Sequence, residues 1–191
     1  MSLPFGLLGL LSYRDSTGYD LTKEFNDSLN NFWHAQSAQI YRELDRMEQK
    51  GWVESRSVVQ NKRPNKRLYS ITKEGREALN KWLLEGALEF DHPHETFLMR
   101  VFFGAKTPEV TLSLLKACRD VCLSAAQTYP EQIQTVIDRY AAEIPDGEKN
   151  RVYWQMTLDF GIMQTNVIAE WAQKCIEKIE GEINHENTDA V

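Results

Sequence analysis

The sequence predicts a mainly α-helical protein with one small β-wing, and three observations carry that expectation. First, in residues 37–51 the apolar side chains Ile40, Leu44 and Met47 fall at i, i+4 and i+7, so they turn inward as one helical stripe and leave Gln39, Arg42 and Arg46 outward. Second, the chain alternates through residues 53–59, crosses a polar turn at 60–65 and returns at 66–71, which is a hairpin with Lys62, Arg63, Lys66 and Arg67 gathered at its tip. Third, the remainder repeats its apolar residues at helical spacing almost to the end. Helix, basic ribbon and second helix start, in that order, are the layout of an N-terminal winged helix-turn-helix, here joined to an all-helical C-terminal domain.

Pro4 suits a first helical turn, and Phe5, Leu7, Leu8 and Leu11 give an almost wholly apolar helix ending near Ser12. Thr17 with Asp20 three residues on resembles a capping box, and Leu21, Phe25, Leu29 and Phe32 continue at helical spacing. Ser37 is the expected cap of the third helix and Gly51 its stop. Thr72 caps a fourth, carrying Ala78, Leu79, Trp82 and Leu83, that fades at Gly86. The proline-containing stretch 89–94 reads as a connector. A short helix over 95–103 precedes a strong helix start at Thr107-Pro108-Glu109, and Pro130 should kink or divide the helix begun there. Pro145-Asp146-Gly147 makes the next turn, and a last helix runs from about 148 to about 183.

Composition narrows the classes. The 191 residues carry a net charge of −6, but residues 1–87 sum to +2 and residues 88–191 to −8, so any DNA binding belongs to the first half. The apolar opening lacks the basic flank and cleavage site of a signal peptide, and no apolar run approaches the ~20 residues that cross a bilayer; no membrane partner and a cytoplasmic location are expected. Three cysteines, Cys118, Cys122 and Cys175, make no secreted disulfide framework. No phosphate loop, nucleophile elbow or zinc spacing is present, so neither an enzyme nor a cofactor is expected.

We therefore expect a DNA-binding domain over 1–87 and a helical dimerisation domain over 88–191. The last helix, roughly 50 Å long, exceeds the roughly 16 Å radius of gyration of a compact chain this size. Its stripe, with Met163, Val167 and Trp171, calls for a partner, and a second copy of the same helix is the simplest.

Three motifs stand in a fixed order: Gly18-Tyr19-Asp20-Leu21, then Phe32-Trp33-His34-Ala35 leading into Ser37, Gln39, Ile40, Tyr41, Glu43 and Leu44, then the wing exit Tyr69 to Gly75. Through them the chain resembles the PadR family of bacterial transcriptional regulators, in the longer subgroup with a helical C-terminal domain. The resemblance implies a homodimeric repressor on double-stranded operator DNA, with Ser37, Gln39, Tyr41 and Arg42 on the recognition helix and residues 62–67 as the wing. It also looks most like the branch that releases DNA when hydroxycinnamic acids bind, which implies that residues 88–191 are an effector-response domain as well.

Each candidate has a plainer role beside it. Tyr41 could pack against the second helix, and Arg46 suits either a phosphate or an ion pair with Asp45 or Glu43. His92 and His94 could ligate a metal or sit in a polar linker, and no metal is expected. Cys118 and Cys122, four residues apart, could sense oxidants or simply pack. Phe32, Trp33, Tyr153 and Trp154 could hold an aromatic effector, with Tyr153 or Arg151 anchoring its carboxylate, or could be packing residues. Two other functions stay open: a winged-helix module that binds a protein, and a DNA-binding regulator controlled by a protein partner or by a different hydrophobic ligand.

Overall fold

A computed structural model of the chain describes residues 2–30, 32–58, 66–85 and 96–189, with side chains through residue 182. The elements are α1 (Leu3–Tyr13), β1 (Ser16–Thr17), α2 (Gly18–Ser28), α3 (Ser37–Gln49), β2 (Val53–Val58), β3 (Lys66–Ile71), α4 (Lys73–Glu85), α5 (Thr96–Phe102), α6 (Pro108–Glu143) and α7 (Gly147–Asp189). They form two compact units. The first holds residues 1–88 and 136–151, the second residues 89–135 and 152–191. The first unit thus includes a late piece of chain, the end of α6 and the start of α7, in addition to the expected N-terminal segment.

In the first unit the caps do what the sequence suggests at two of three helices. Thr17 Oγ1 accepts the Asp20 N–H at 3.1 Å to open α2, and Thr72 Oγ1 accepts the Gly75 N–H at 3.0 Å to open α4. At α3 the cap is Gln36 instead of Ser37: Ser37 is already helical, and the Gln36 N–H donates to Gln39 Oε1 at 2.9 Å. Gly51, at φ +70°, ends the helix as expected. The α2 stripe stops early, at Ser28, which leaves Phe32 beyond the helix and half in solvent.

The buried faces of α1, α2 and α3 meet in one core. Leu7, Leu8, Leu21, Ile40, Leu44 and Met47 are all fully enclosed, each contributing on the order of 1.5–3 kcal/mol by leaving water. The sheet packs beside them in the order β1-β3-β2, all antiparallel, with Ser55 opposite Tyr69 and Ser16 also opposite Tyr69. The two-residue β1 has no sequence signal, because two residues show no alternation. The hairpin tip, with Lys62 and Arg63, lies outside the described residues, as does the 89–94 connector with His92 and His94.

The late segment joins the first unit through charge and burial. Arg139 pairs with Asp27 at 3.2 Å and Arg14 with Glu143 at 3.6 Å. Ile137, Tyr140, Ala141 and Ile144 are buried. Arg14 also donates to the nearly buried Glu24 at 2.6 Å, and burial, then Glu24, pushes the Tyr140 hydroxyl up to about 12.

In the second unit α6 and α7 run antiparallel, since Lys116 meets Glu180 at 2.7 Å and Arg119 reaches Gln173 at 2.9 Å. Leu115, Ala172 and Ile176 form the seam. Pro130 lies inside α6 without dividing it; a proline removes one hydrogen bond, and 36 residues of helix tolerate that loss. Among the described residues no helix is long and apolar enough to cross a membrane.

Candidate nucleic-acid interface

The expected recognition helix, α3, is fixed from beneath and open above. Ile40, Leu44 and Met47 are at 0% exposure, whereas Ser37, Gln39, Tyr41, Arg42 and Arg46 are all exposed on the same element. Their local bonds differ. Gln39 spends its amide oxygen on the Gln36 N–H, which holds the side chain at the helix start and leaves its amide NH2 as a donor. Arg42 Nε donates to the Ala38 carbonyl at 3.2 Å, and its Nη groups have no partner among the described residues. Arg46 pairs with Glu43 at 3.2 Å, one of the two roles left open by the sequence.

Tyr41 takes an intermediate course. It is 43% exposed, yet its ring edge lies over Gly18, where a Cβ would come within 2.6 Å of Cε1. The start of α2 therefore supports the ring from one side while the hydroxyl end remains available.

The two cations at the described start of β3 have contrasting surroundings. Lys66 makes no ion pair among the described residues. Arg67, expected beside it on the DNA face, is bound to Glu48 at 2.5 Å and to Asp45 at 3.4 Å, both on α3. It also donates to Ser55 Oγ from Nε at 3.2 Å and from Nη2 at 3.0 Å. The Ser55 hydroxyl, which donates to Glu48 Oε1, and after it Arg67 hold the Glu48 carboxyl below the ordinary carboxylate range.

Residues 7–81 match the family model described as the PadR-like transcriptional regulator family. They are a PadR-like domain. Residues 93–180 match the model described as the virulence activator alpha C-terminal region. A probable transcriptional regulator of Mycobacterium tuberculosis, Rv1176c, is 41% identical over 85 residues, 44% of this chain and 45% of its own. The negative transcriptional regulator PadR of Bacillus subtilis is 31% identical over 101 residues, 53% of this chain and 56% of its own. The chain thus spans about half the length of these two relatives. The structure of B. subtilis PadR in complex with operator DNA superposes with a TM-score of 0.75 at 23% identity, covering 94% of this chain and 99% of that one. The same protein in complex with p-coumaric acid superposes at 0.69 and 21%, covering 94% and 99%. At such identities these two establish the fold: a winged helix-turn-helix with a helical C-terminal region.

Outside the PadR-like domain's exposed helix, the remaining candidates are distributed over both units. Trp33 is half-buried against the first core and lines a groove of about 380 Å³ between the start of α1 and α3, with Leu3, Pro4, His34, Arg42 and Arg46. Tyr153 and Trp154 belong to the second unit, Tyr153 exposed and Trp154 half-buried. Arg151 is not a free anchor: its guanidinium already pairs with Asp138 and, at 2.9 Å, with Glu148, bracing the turn between α6 and α7.

Met163 and Val167 stay largely exposed on α7, with Met156 and Phe160. Trp171 instead packs edge-on against Phe97, ring centroids 6.1 Å apart, so part of the expected interface is already covered within the chain. Cys118, Cys122 and Cys175 are free thiols, and burial, then Cys122, pushes the Cys118 thiol up, away from the reactive thiolate. Among the described residues no cluster could hold a metal.

Proposed function

We propose that the protein is a homodimeric transcriptional repressor that binds a pseudo-palindromic operator in double-stranded DNA and is released by a small aromatic acid. The observation that carries the DNA reading is α3, pinned by three enclosed side chains and presenting Ser37, Gln39, Tyr41 and Arg42 to solvent beside a cationic wing. That combination suits base reading by the helix start and phosphate contact by Lys62, Arg63 and Lys66. The net +2 over residues 1–87, within a chain of −6, places the attraction for a polyanion in the same half.

The dimer reading rests on α7. Met156, Phe160, Met163 and Val167 recur every three or four residues and each is more than half exposed, an apolar stripe that water disfavours and that a second α7 would cover. Two recognition helices would then lie about one duplex turn, ~34 Å, apart. The effector reading draws on the p-coumaric acid complex of B. subtilis PadR and on the aromatic supply at Phe32, Trp33, Tyr153 and Trp154.

The test is a titration of a pseudo-palindromic duplex with full-length protein at several salt concentrations, repeated with p-coumarate. Saturable, salt-sensitive binding as a dimer, reversed by the acid, is the expected result. Binding that ignores salt would favour the protein-interaction alternative. DNA binding unaffected by millimolar p-coumarate would remove the phenolic-acid step and leave the repressor.

A further inference from the structure

Arg67 and Lys66 are neighbours on β3, yet among the described residues only Arg67 is held by ion pairs, with Glu48 and Asp45. The Arg67 side chain is 49% exposed, yet its guanidinium engages all three nitrogens within the chain: Nη2 on Glu48 and Ser55, Nε on Ser55, and Nη1 on Asp45. Ser55 Oγ closes the ring by donating to Glu48 Oε1 at 2.6 Å. Beneath it, the guanidinium carbon lies 5.2 Å from the ring centre of Tyr69, which is enclosed. Asp45 and Glu48 are three residues apart, hence neighbours on one face of α3. A single planar cation spanning both fixes the rotation of α3 against the wing as well as their separation.

We propose that Arg67 is a positioning residue, which with Glu48, Ser55 and Asp45 sets the angle between the wing and the recognition helix and does not itself bind DNA. The inference rests on the DNA-binding reading and assigns a new role within it. It has a second physical consequence: the arginine neutralises two carboxylates that would otherwise turn negative charge toward a polyanion from the recognition helix itself.

The two roles for Arg67 predict opposite signs for Glu48→Gln. If Arg67 touches phosphate, removing a nearby carboxylate lowers repulsion and frees the arginine, so DNA binding strengthens. If Arg67 is a brace, the same change loosens the wing and weakens binding, although it makes the surface more positive. Operator and unrelated duplexes of equal length are titrated over a salt series with full-length wild type, Glu48→Gln, Arg67→Lys and Lys66→Ala. Thermal melts confirm that each variant is folded, and hydrogen exchange tracks β2 and β3 in the free protein.

We expect Glu48→Gln and Arg67→Lys each to lose about tenfold in operator affinity, the size typical of a hydrogen bond to a charged group. Their salt slopes should stay at the wild-type value and their β2–β3 exchange should quicken. Lys66→Ala should weaken both duplexes alike and flatten the slope by about one. Glu48→Gln binding as tightly as wild type or tighter, or Arg67→Lys retaining full affinity, overturns the proposal while the repressor reading stands. Absence of salt-sensitive binding by the wild type to either duplex overturns both together.

Discussion

Tyr41 owes its placement to a residue without a side chain. A Cβ at Gly18 would meet the Tyr41 ring at 2.6 Å, so Gly18→Ala should turn the ring and reduce operator affinity several-fold, with little change in melting temperature because the ring is at the surface. Tyr41→Ala and Arg42→Ala should each cost ~1–3 kcal/mol in specific binding and leave the dimer intact, read by mobility shift and sedimentation. Tyr140 gives a residue-level prediction about pH. Its hydroxyl is raised from near 10 to about 12, so its contribution to stability is complete below the ordinary value and is lost as pH climbs through the raised one. Thermal stability should therefore fall over that interval, and fall less steeply in Tyr140→Phe. Packing of Tyr41 on the second helix was one of the roles open in the sequence, but Gly18 as its support and the Arg67 ring were not legible there. Each joins residues from different elements, and only folding brings Gly18 to Tyr41 or Asp45 and Glu48 to Arg67. The exposed set on α3 was legible, because helical spacing alone decides which side chains point away from Ile40, Leu44 and Met47.

The elements themselves were written in periodicity and caps. Thr17, Thr72 and Gly51 act at the ends expected of them, since each needs only its immediate neighbours. Two features were decided by less local terms. The glutamine pair 36 and 39 captured the start of α3 from Ser37, and the stripe of α2 ran out before Phe32. Of the two outcomes expected at Pro130, division of the helix is the one that α6 does not show. Leu44, fully enclosed under α3, tests how far the recognition helix depends on its foundation. Leu44→Ala should destabilise the first unit by about 2–5 kcal/mol in chemical unfolding. Operator affinity at low temperature should drop less than in Tyr41→Ala, because the surviving folded molecules keep their exposed face.

For the whole molecule, the exposed stripe of α7 is the feature on which the proposed assembly depends. Replacing Phe160 with Ser and Met163 with Lys should give a folded monomer by sedimentation, with operator affinity much reduced because each half-site is then bound alone. A variant that remains dimeric would assign the stripe another partner. The long last helix was foreseeable from its repeat, but the share of Trp171 was not, since its packing on Phe97 depends on how α5 returns to α7. Nor could composition reveal that the first unit is assembled from two stretches of chain, residues 1–88 and 136–151. That discontinuity bears on biosynthesis and on engineering. A nascent chain emerging from the ribosome cannot complete its winged-helix head until residue 151 has cleared the exit tunnel, by which time α6 is already made. A chimera that grafts residues 1–88 onto a foreign sensor would likewise leave Asp27 and Arg14 without Arg139 and Glu143. Transplanting this head means carrying the bend between the two long helices along with it.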